Sequence, residues 1–102
     1  MEQMRELRFY VGTKNVDTSL LAEADEYLLQ NYGGFTKYFH TGVWTSPEEE
    51  VVREGGFTYV ILTGASISSG GVKAVGKTLR KILKQESVLC TLSTVLGGFI
   101  CE

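Results

Sequence analysis

Four Gly-Gly pairs, at positions 33-34, 55-56, 70-71 and 97-98, punctuate a chain of 102 residues that contains a single proline. Glycine enters left-handed and bent backbone without steric cost, so it ends helices and marks turns. The runs between these pairs are the candidate elements, and their hydrophobic periods assign them. In LRFYVGTK, Leu7, Phe9 and Val11 alternate with Arg8, Tyr10 and Gly12, the period of a half-buried strand. In LLAEADEYLLQNY, residues 20–32, apolar positions recur at helical spacing; Asp17, Thr18 or Ser19 supplies the cap, and Gly33-Gly34 the stop.

FTKYFHTGVWT (35–45) and VVREGGFTYVILTG (51–64), rich in aromatic and β-branched residues, read as a hairpin around SPEEE, with Gly55-Gly56 expected to form a bulge. After the small-residue loop ASISSGG, the stretch VKAVGKTLRKILKQE places Val72, Val75, Gly76, Leu79, Ile82 and Leu83 on one helical face and its lysines on the other. SVLCTLSTV (87–95) is the last strand. The order β-α-β-β-α-β predicts a single ferredoxin-like α+β domain over 1–102, with two helices on one face of a four-stranded antiparallel sheet.

The stretch GVKAVGKT, Gly71 to Thr78, fits the phosphate-binding pattern G-x-x-x-x-G-K-[ST] letter for letter. A true phosphate loop needs a loop between its glycines and a lysine that opens the helix. Here both glycines fall within or against an amphipathic helix, so the match reads as chance. What remains is GASISSGG, whose free N–H groups and small hydroxyls at a helix start, around Ser69, form a possible anion seat.

Composition narrows the partners. With 43% apolar residues and a net charge of −2, the chain is an ordinary globular one, and a long nucleic acid is not an expected ligand. No run of about 18 apolar residues is present, and the stretch from Met1 to Tyr10 lacks a signal-peptide core, so a cytoplasmic protein without a membrane partner is expected. Cys90 and Cys101 have no metal-ligand spacing, and with His40 the only histidine, neither a metal nor another cofactor is expected.

A sheet with helices on one face leaves the other to a ligand or partner. If Leu7, Phe9 and Val11 face the helices, Arg8 and Tyr10 lie on the open face, joined by Tyr38, His40 and Trp44 from the first hairpin arm and Tyr59 and Ile61 from the second. Such an aromatic surface suits a homo-oligomer or a stacked flat ligand. Lys14, Arg53 and Lys73, at strand ends or a helix start, could hold a small anion. An RNA-recognition module shares the topology and is the alternative binder, although the acidic SPEEE tip and the absence of its aromatic signature count against it. His40 and the Arg53-Glu54 pair are the acid-base candidates. With no nucleophile beside a base and no metal cluster, a non-enzymatic chain is expected.

The stretches FYVGTKNVD, GGFTKYFHTGVW, REGGFTYVIL and LKQESVL together resemble a family of small phage-encoded proteins, and the hairpin more faintly resembles an uncharacterised domain of bacterial lipoproteins. Among phage proteins the resemblance is to the sponges that sequester cyclic oligonucleotide signals of CBASS defence. It implies a homo-oligomer that binds a small cyclic nucleotide without turning it over. Carried onto this sequence, it marks Tyr10, Thr36, Trp44 and Glu54 as ligand contacts, with Gln85 and Glu86 as ligand or structural contacts, and Arg8 or Arg53 of two chains could share one pocket.

Overall fold

A computed structural model describes residues 1–14 and 16–101; Asn15 of the FYVGTKNVD stretch and the terminal Glu102 lie outside the described residues. The elements are β1 (Glu2–Gly12), α1 (Thr18–Tyr32), β2 (Thr36–Thr45), β3 (Val51–Gly64), α2 (Ser69–Ile82) and β4 (Leu89–Gly97). They form one antiparallel sheet in the order β2-β3-β1-β4 with both helices on one side, the ferredoxin-like arrangement. No helix among the described residues is long and apolar enough to cross a membrane.

Local chemistry sets the helix ends. The Asp17 carboxylate accepts the Leu20 N–H at the start of α1, and Gly33 closes that helix with φ 75°, where a side chain would be strained. The Ser68 side chain accepts the Gly71 N–H, so α2 begins earlier than the apolar pattern indicates and takes in Ser69, Gly70 and Gly71. The whole GVKAVGKT stretch is therefore helical. A Cβ on Gly76 would sit 2.5 Å from Cys90 Sγ and 4.0 Å from Phe9 Cε1, so this glycine lets α2 lie directly on β1 and β4.

The core lies between helices and sheet, formed by Leu7, Phe9 and Val11 of β1, Tyr59 and Ile61 of β3, Ala24 and Leu28 of α1, and Val72, Val75, Leu79 and Leu83 on or just after α2. Two expectations fail here, for one reason. The pairing of β2 with β3 keeps one register from Thr36↔Val60 to Thr45↔Val51, so Gly55-Gly56 makes no bulge. Residues directly opposite in an antiparallel pair share a face, and Tyr59 stands opposite Phe9 while Ile61 stands opposite Leu7. Both belong to the helix face, because a missing bulge flips every side chain beyond it. Val60, Leu62 and the fully buried Thr58 occupy the open face instead.

On the helix side, Tyr59 OH donates to Asp25 Oδ1 at 2.6 Å and Lys37 Nζ donates to Asp25 Oδ2 at 2.8 Å. Lys37 also stands 4.9 Å from the centre of the Phe57 ring. This cluster ties α1 to β2 and β3. Burial, reinforced by the Asp25 carboxylate, pushes the Tyr59 hydroxyl well above the usual phenol range.

Candidate functional site

Beyond its pairing with β1, which ends at Gly12↔Gly56, β3 continues beside β2 as a two-stranded ribbon, Val51–Gly55 against Thr41–Thr45. Where the ribbon leaves the sheet, a cleft of about 790 Å³ opens, within the size range of small-ligand sites. Its walls are the ribbon on one side and the turn after α2, Lys84 to Ser87, on the other; Tyr10, Lys14 and Leu89 complete it.

The floor is made by missing side chains. Gly12, Gly42 and Gly56 all fall on the open face, in register with Tyr10, Glu54 and His40. A Cβ on Gly12 would collide with Glu54 Oε1 and would come within 3.2 Å of Gln85 Oε1, so carboxylate and amide oxygens converge over this position. A Cβ on Gly42 would lie 3.5 Å from Trp44 Cζ3, so the indole rests against the bare backbone. A Cβ on Gly56 would be 2.8 Å from His40 Nε2, which puts the imidazole against the strand. His40 Nδ1 shares a hydrogen bond of 2.8 Å with Thr58 Oγ1, and its ring centroid is 6.0 Å from that of Tyr10. Lys84, with φ 53°, turns the chain back, and Gln85 Nε2 donates to Leu83 O at 3.0 Å, which anchors that side chain.

Charge in the cleft is balanced: Glu54 and Glu86 against Lys14 and Lys84. Among the described residues the ion pairs are Arg8–Glu6 and Lys37–Asp25, so the Glu54 carboxylate pairs with no cation there. The described residues hold no cluster of His, Cys, Asp and Glu with metal-binding geometry.

The residues singled out from sequence divide accordingly. Tyr10, Lys14, His40, Trp44 and Glu54 meet in the cleft. Arg8 and Tyr38 lie beside it on the open face, where Arg8 Nη1 donates to Tyr38 OH at 3.0 Å. The hydrogen bond to Glu6 holds the Arg8 guanidinium firmly protonated. Thr36 sits at the opposite end of β2, and Arg53 pairs with Val43 on the other face of the ribbon. Ser69 and Lys73 are in the first and second turns of α2, whose last turn leads to the cleft, roughly 16–22 Å away along the helix axis. Tyr59 is fully buried in the core and cannot touch a ligand on the open face. The pattern of period and charge passes over Gly12, Gly42 and Lys84; the spacing of glycines on strands that pair is the signal that leads to the first two.

The sequence matches no protein-family model and no curated protein. Solved structures do match. The fold is that of a phage SAM lyase. One such structure, in complex with S-methyl-5'-thioadenosine, has a TM-score of 0.66 at 24% identity, covering 88% of this chain and 80% of the lyase. A phage SAM lyase in its apo state gives 0.64 at 21% identity, covering 98% of both chains. CutA from Synechococcus elongatus gives 0.65 at 10% identity, covering 94% of this chain and 80% of CutA. At these identities the shared feature is the fold.

Two expectations are corrected by these matches. The likeness to phage proteins runs to the SAM lyase and not to the cyclic-oligonucleotide sponges. The expectation of a non-enzymatic chain falls too, because an enzyme carries this fold over nearly its whole length. That expectation rested on the lack of a nucleophile beside a base and of a metal cluster in the sequence.

Proposed function

We propose that the cleft binds S-adenosylmethionine and that the chain breaks a carbon–sulfur bond in it. The observation that carries this reading is the Glu54 carboxylate, set over Gly12 without a paired cation among the described residues, in a cleft that Tyr10, His40 and Trp44 also line. A carboxylate among aromatic faces attracts a small cation joined to a flat heterocycle, and a sulfonium nucleoside has that make-up. Its amino-acid arm brings an ammonium and a carboxylate, complementary to Glu86 and to the Lys14 and Lys84 ammonium groups. The likeness to a phage SAM lyase, one structure of which holds S-methyl-5'-thioadenosine, supports the assignment. A cyclic dinucleotide, as the sponge resemblance implies, would bring two phosphates against Glu54 and Glu86 and fits less well.

The chemistry suits a site with few reactive groups. The substrate's own carboxylate oxygen attacks its γ-carbon, a C–O bond forms, and the C–S bond breaks with its electron pair passing to sulfur. The products are neutral S-methyl-5'-thioadenosine and a five-membered lactone that keeps the ammonium. No water, external base or proton transfer enters. The protein's part is to fold the amino-acid arm so that oxygen and carbon are in line, and holding reacting atoms in near-attack geometry is worth several kcal/mol, up to about 7–11 in the best intramolecular cases. Because positive charge leaves sulfur during the step, a carboxylate facing it binds substrate more than transition state. Glu54→Gln is therefore expected to raise KM by tenfold or more with a smaller change in kcat. Loss of the methyl donor would serve a phage against methylation-dependent host defence.

Assembly belongs to this reading. Val43 and Trp44 on β2 and Val51 on β3 are about half exposed or more on the ribbon, and an isolated two-stranded ribbon is marginal in water. A second copy covering the ribbon would bury these side chains and close the cleft, so a homo-oligomer is expected; light scattering at micromolar concentration reads its mass.

The deciding experiment is incubation of the purified protein with S-adenosylmethionine in excess, followed by chromatography of the nucleosides. Release of S-methyl-5'-thioadenosine over many turnovers supports the assignment. Full recovery of S-adenosylmethionine, with a cyclic dinucleotide bound and returned intact in a parallel titration, would sink it.

A further inference from the structure

The outer edge of β4 offers no protection against pairing. Its sequence, LCTLSTVLG, has no charged residue and no proline, and its register with β1 is unbroken from Glu2↔Gly97 to Tyr10↔Leu89. Leu89 and Leu96 are 63% and 73% exposed. Natural edge strands are usually blunted by lysine, proline or a bulge, because a straight edge with free N–H and C=O groups is a template for another strand. β2, the opposite edge, at least carries Lys37.

Above this edge lies an unusual charge row. Five of the chain's ten cations, Lys73, Lys77, Arg80, Lys81 and Lys84, fall between residues 73 and 84, with no acidic residue among them. Gly76 seats α2 on Cys90 of β4, so Lys73, Lys77 and Arg80 overhang the edge strand. Together with Ser87, Val88 and Cys90 they line a shallow groove of about 330 Å³, with Glu86 at its end. Residues four apart on a helix are about 6 Å apart along its axis, and alternate residues of a strand about 6.7 Å apart. The step from Lys73 to Lys77 matches this repeat, and the long Arg80 side chain, three residues on and about 4.5 Å further along the axis, reaches across the remainder.

We propose that the β4 edge, roofed by Lys73, Lys77 and Arg80, receives an extended acidic segment of another protein by strand addition. Backbone hydrogen bonds to Leu89–Gly97 supply the pairing, and carboxylates at alternate positions of the guest meet the cationic row. A second copy of this chain is a poorer guest. Antiparallel β4–β4 pairing would set two cationic rows side by side, and the β2 residues of the face that carries Lys37 are Lys37, Phe39, Thr41, Val43 and Thr45, which include no acid. The proposal is independent of the assignment of the cleft.

The test uses the full chain and three probes: acetyl-Thr-Glu-Thr-Glu-Thr-Glu-Thr-amide, the same composition with its three Glu contiguous, and a single-stranded oligodeoxynucleotide. The alternating peptide is expected to bind and to slow amide exchange across Leu89–Gly97. The contiguous peptide is expected to bind up to about fivefold more weakly, because alternate residues share a face and its best register leaves one of three charge pairs unmade. The double variant K73E/K77E should lose the alternating peptide and bind its Lys counterpart, while S-adenosylmethionine turnover stays as it was. Equal binding of all three probes without protection of β4 would mean a plain polyanion surface and overturn the proposal. So would β4 amides already protected in the free protein in step with oligomer mass, since the edge would then belong to a second copy.

Discussion

Replacing Gly76 by alanine sets two terms of opposite sign against each other. Alanine is the better helix former, by about 1 kcal/mol in a helix interior. At this position, however, the added methyl would stand 2.5 Å from Cys90 Sγ, and the sulfur, close to Val88 O at 3.6 Å on a half-buried strand, must move or push the helix outward. Overpacking of that kind typically costs about 1–3 kcal/mol. The net expectation is a loss of about 1 kcal/mol, or a fall in Tm of about 4–8 °C for a domain of this size. The sign should reverse when Cys90 is first replaced by alanine. The next atom in the way, Phe9 Cε1, is 4.0 Å from the new Cβ, an ordinary contact, so only the helix-propensity term remains.

Equilibrium unfolding in urea under reducing conditions, on wild type, both single variants and the double variant, reads the coupling directly as a shift in midpoint at constant slope. If Gly76→Ala raises stability in the wild-type background, or has the same effect in both backgrounds, the account of this glycine as the contact between helix and sheet is wrong.

Tyr59→Phe removes a hydrogen bond to a carboxylate and should cost about 1.5–3 kcal/mol in the same unfolding assay, with no change in ligand affinity, since Tyr59 faces the helices. The Asp17 carboxylate is held below its usual range by hydrogen bonds from Ser19 and the Leu20 N–H. Its folded form is the stronger acid, so its contribution is present above the unfolded carboxylate pKa and lost as pH falls through the lower folded value; an acid titration of stability for wild type against Asp17→Asn should show the difference vanish at low pH. Lys84→Gly relieves a left-handed residue and should raise stability by about 1 kcal/mol, while removing one ammonium from the cleft and weakening the binding proposed there for S-adenosylmethionine; a variant neither more stable nor weaker in binding would contradict both roles.

The element order was legible because it rests on local periods: Leu7, Phe9 and Val11 alternate, and Val72, Val75, Gly76 and Leu79 recur at helical steps. The caps at Asp17 and Gly33 were legible for the same reason, since each acts within one turn. The face occupied by Tyr59 was not, because it depends on pairing with Phe9, fifty residues away, and one assumed bulge inverted it. Half of the cleft escaped for a related reason. Tyr10, His40, Trp44 and Glu54 stood out as aromatic or ionisable side chains, whereas Gly12 and Gly42 contribute by having none. Lys84 enters only through the place where α2 ends relative to the ribbon, a distance that no local pattern encodes.

The ribbon of Thr41–Thr45 and Val51–Gly55 also has a dynamic consequence. It is the part of the sheet flanked by no third strand, so its amides should open with the smallest free energy and exchange first, ahead of those paired through β1. Two of the groups offered to a ligand, the Trp44 ring and the Glu54 carboxylate, ride on it. Occupancy of the cleft and closure of this local opening are then one linked equilibrium, and a ligand's apparent affinity carries within it the free energy of ordering the ribbon.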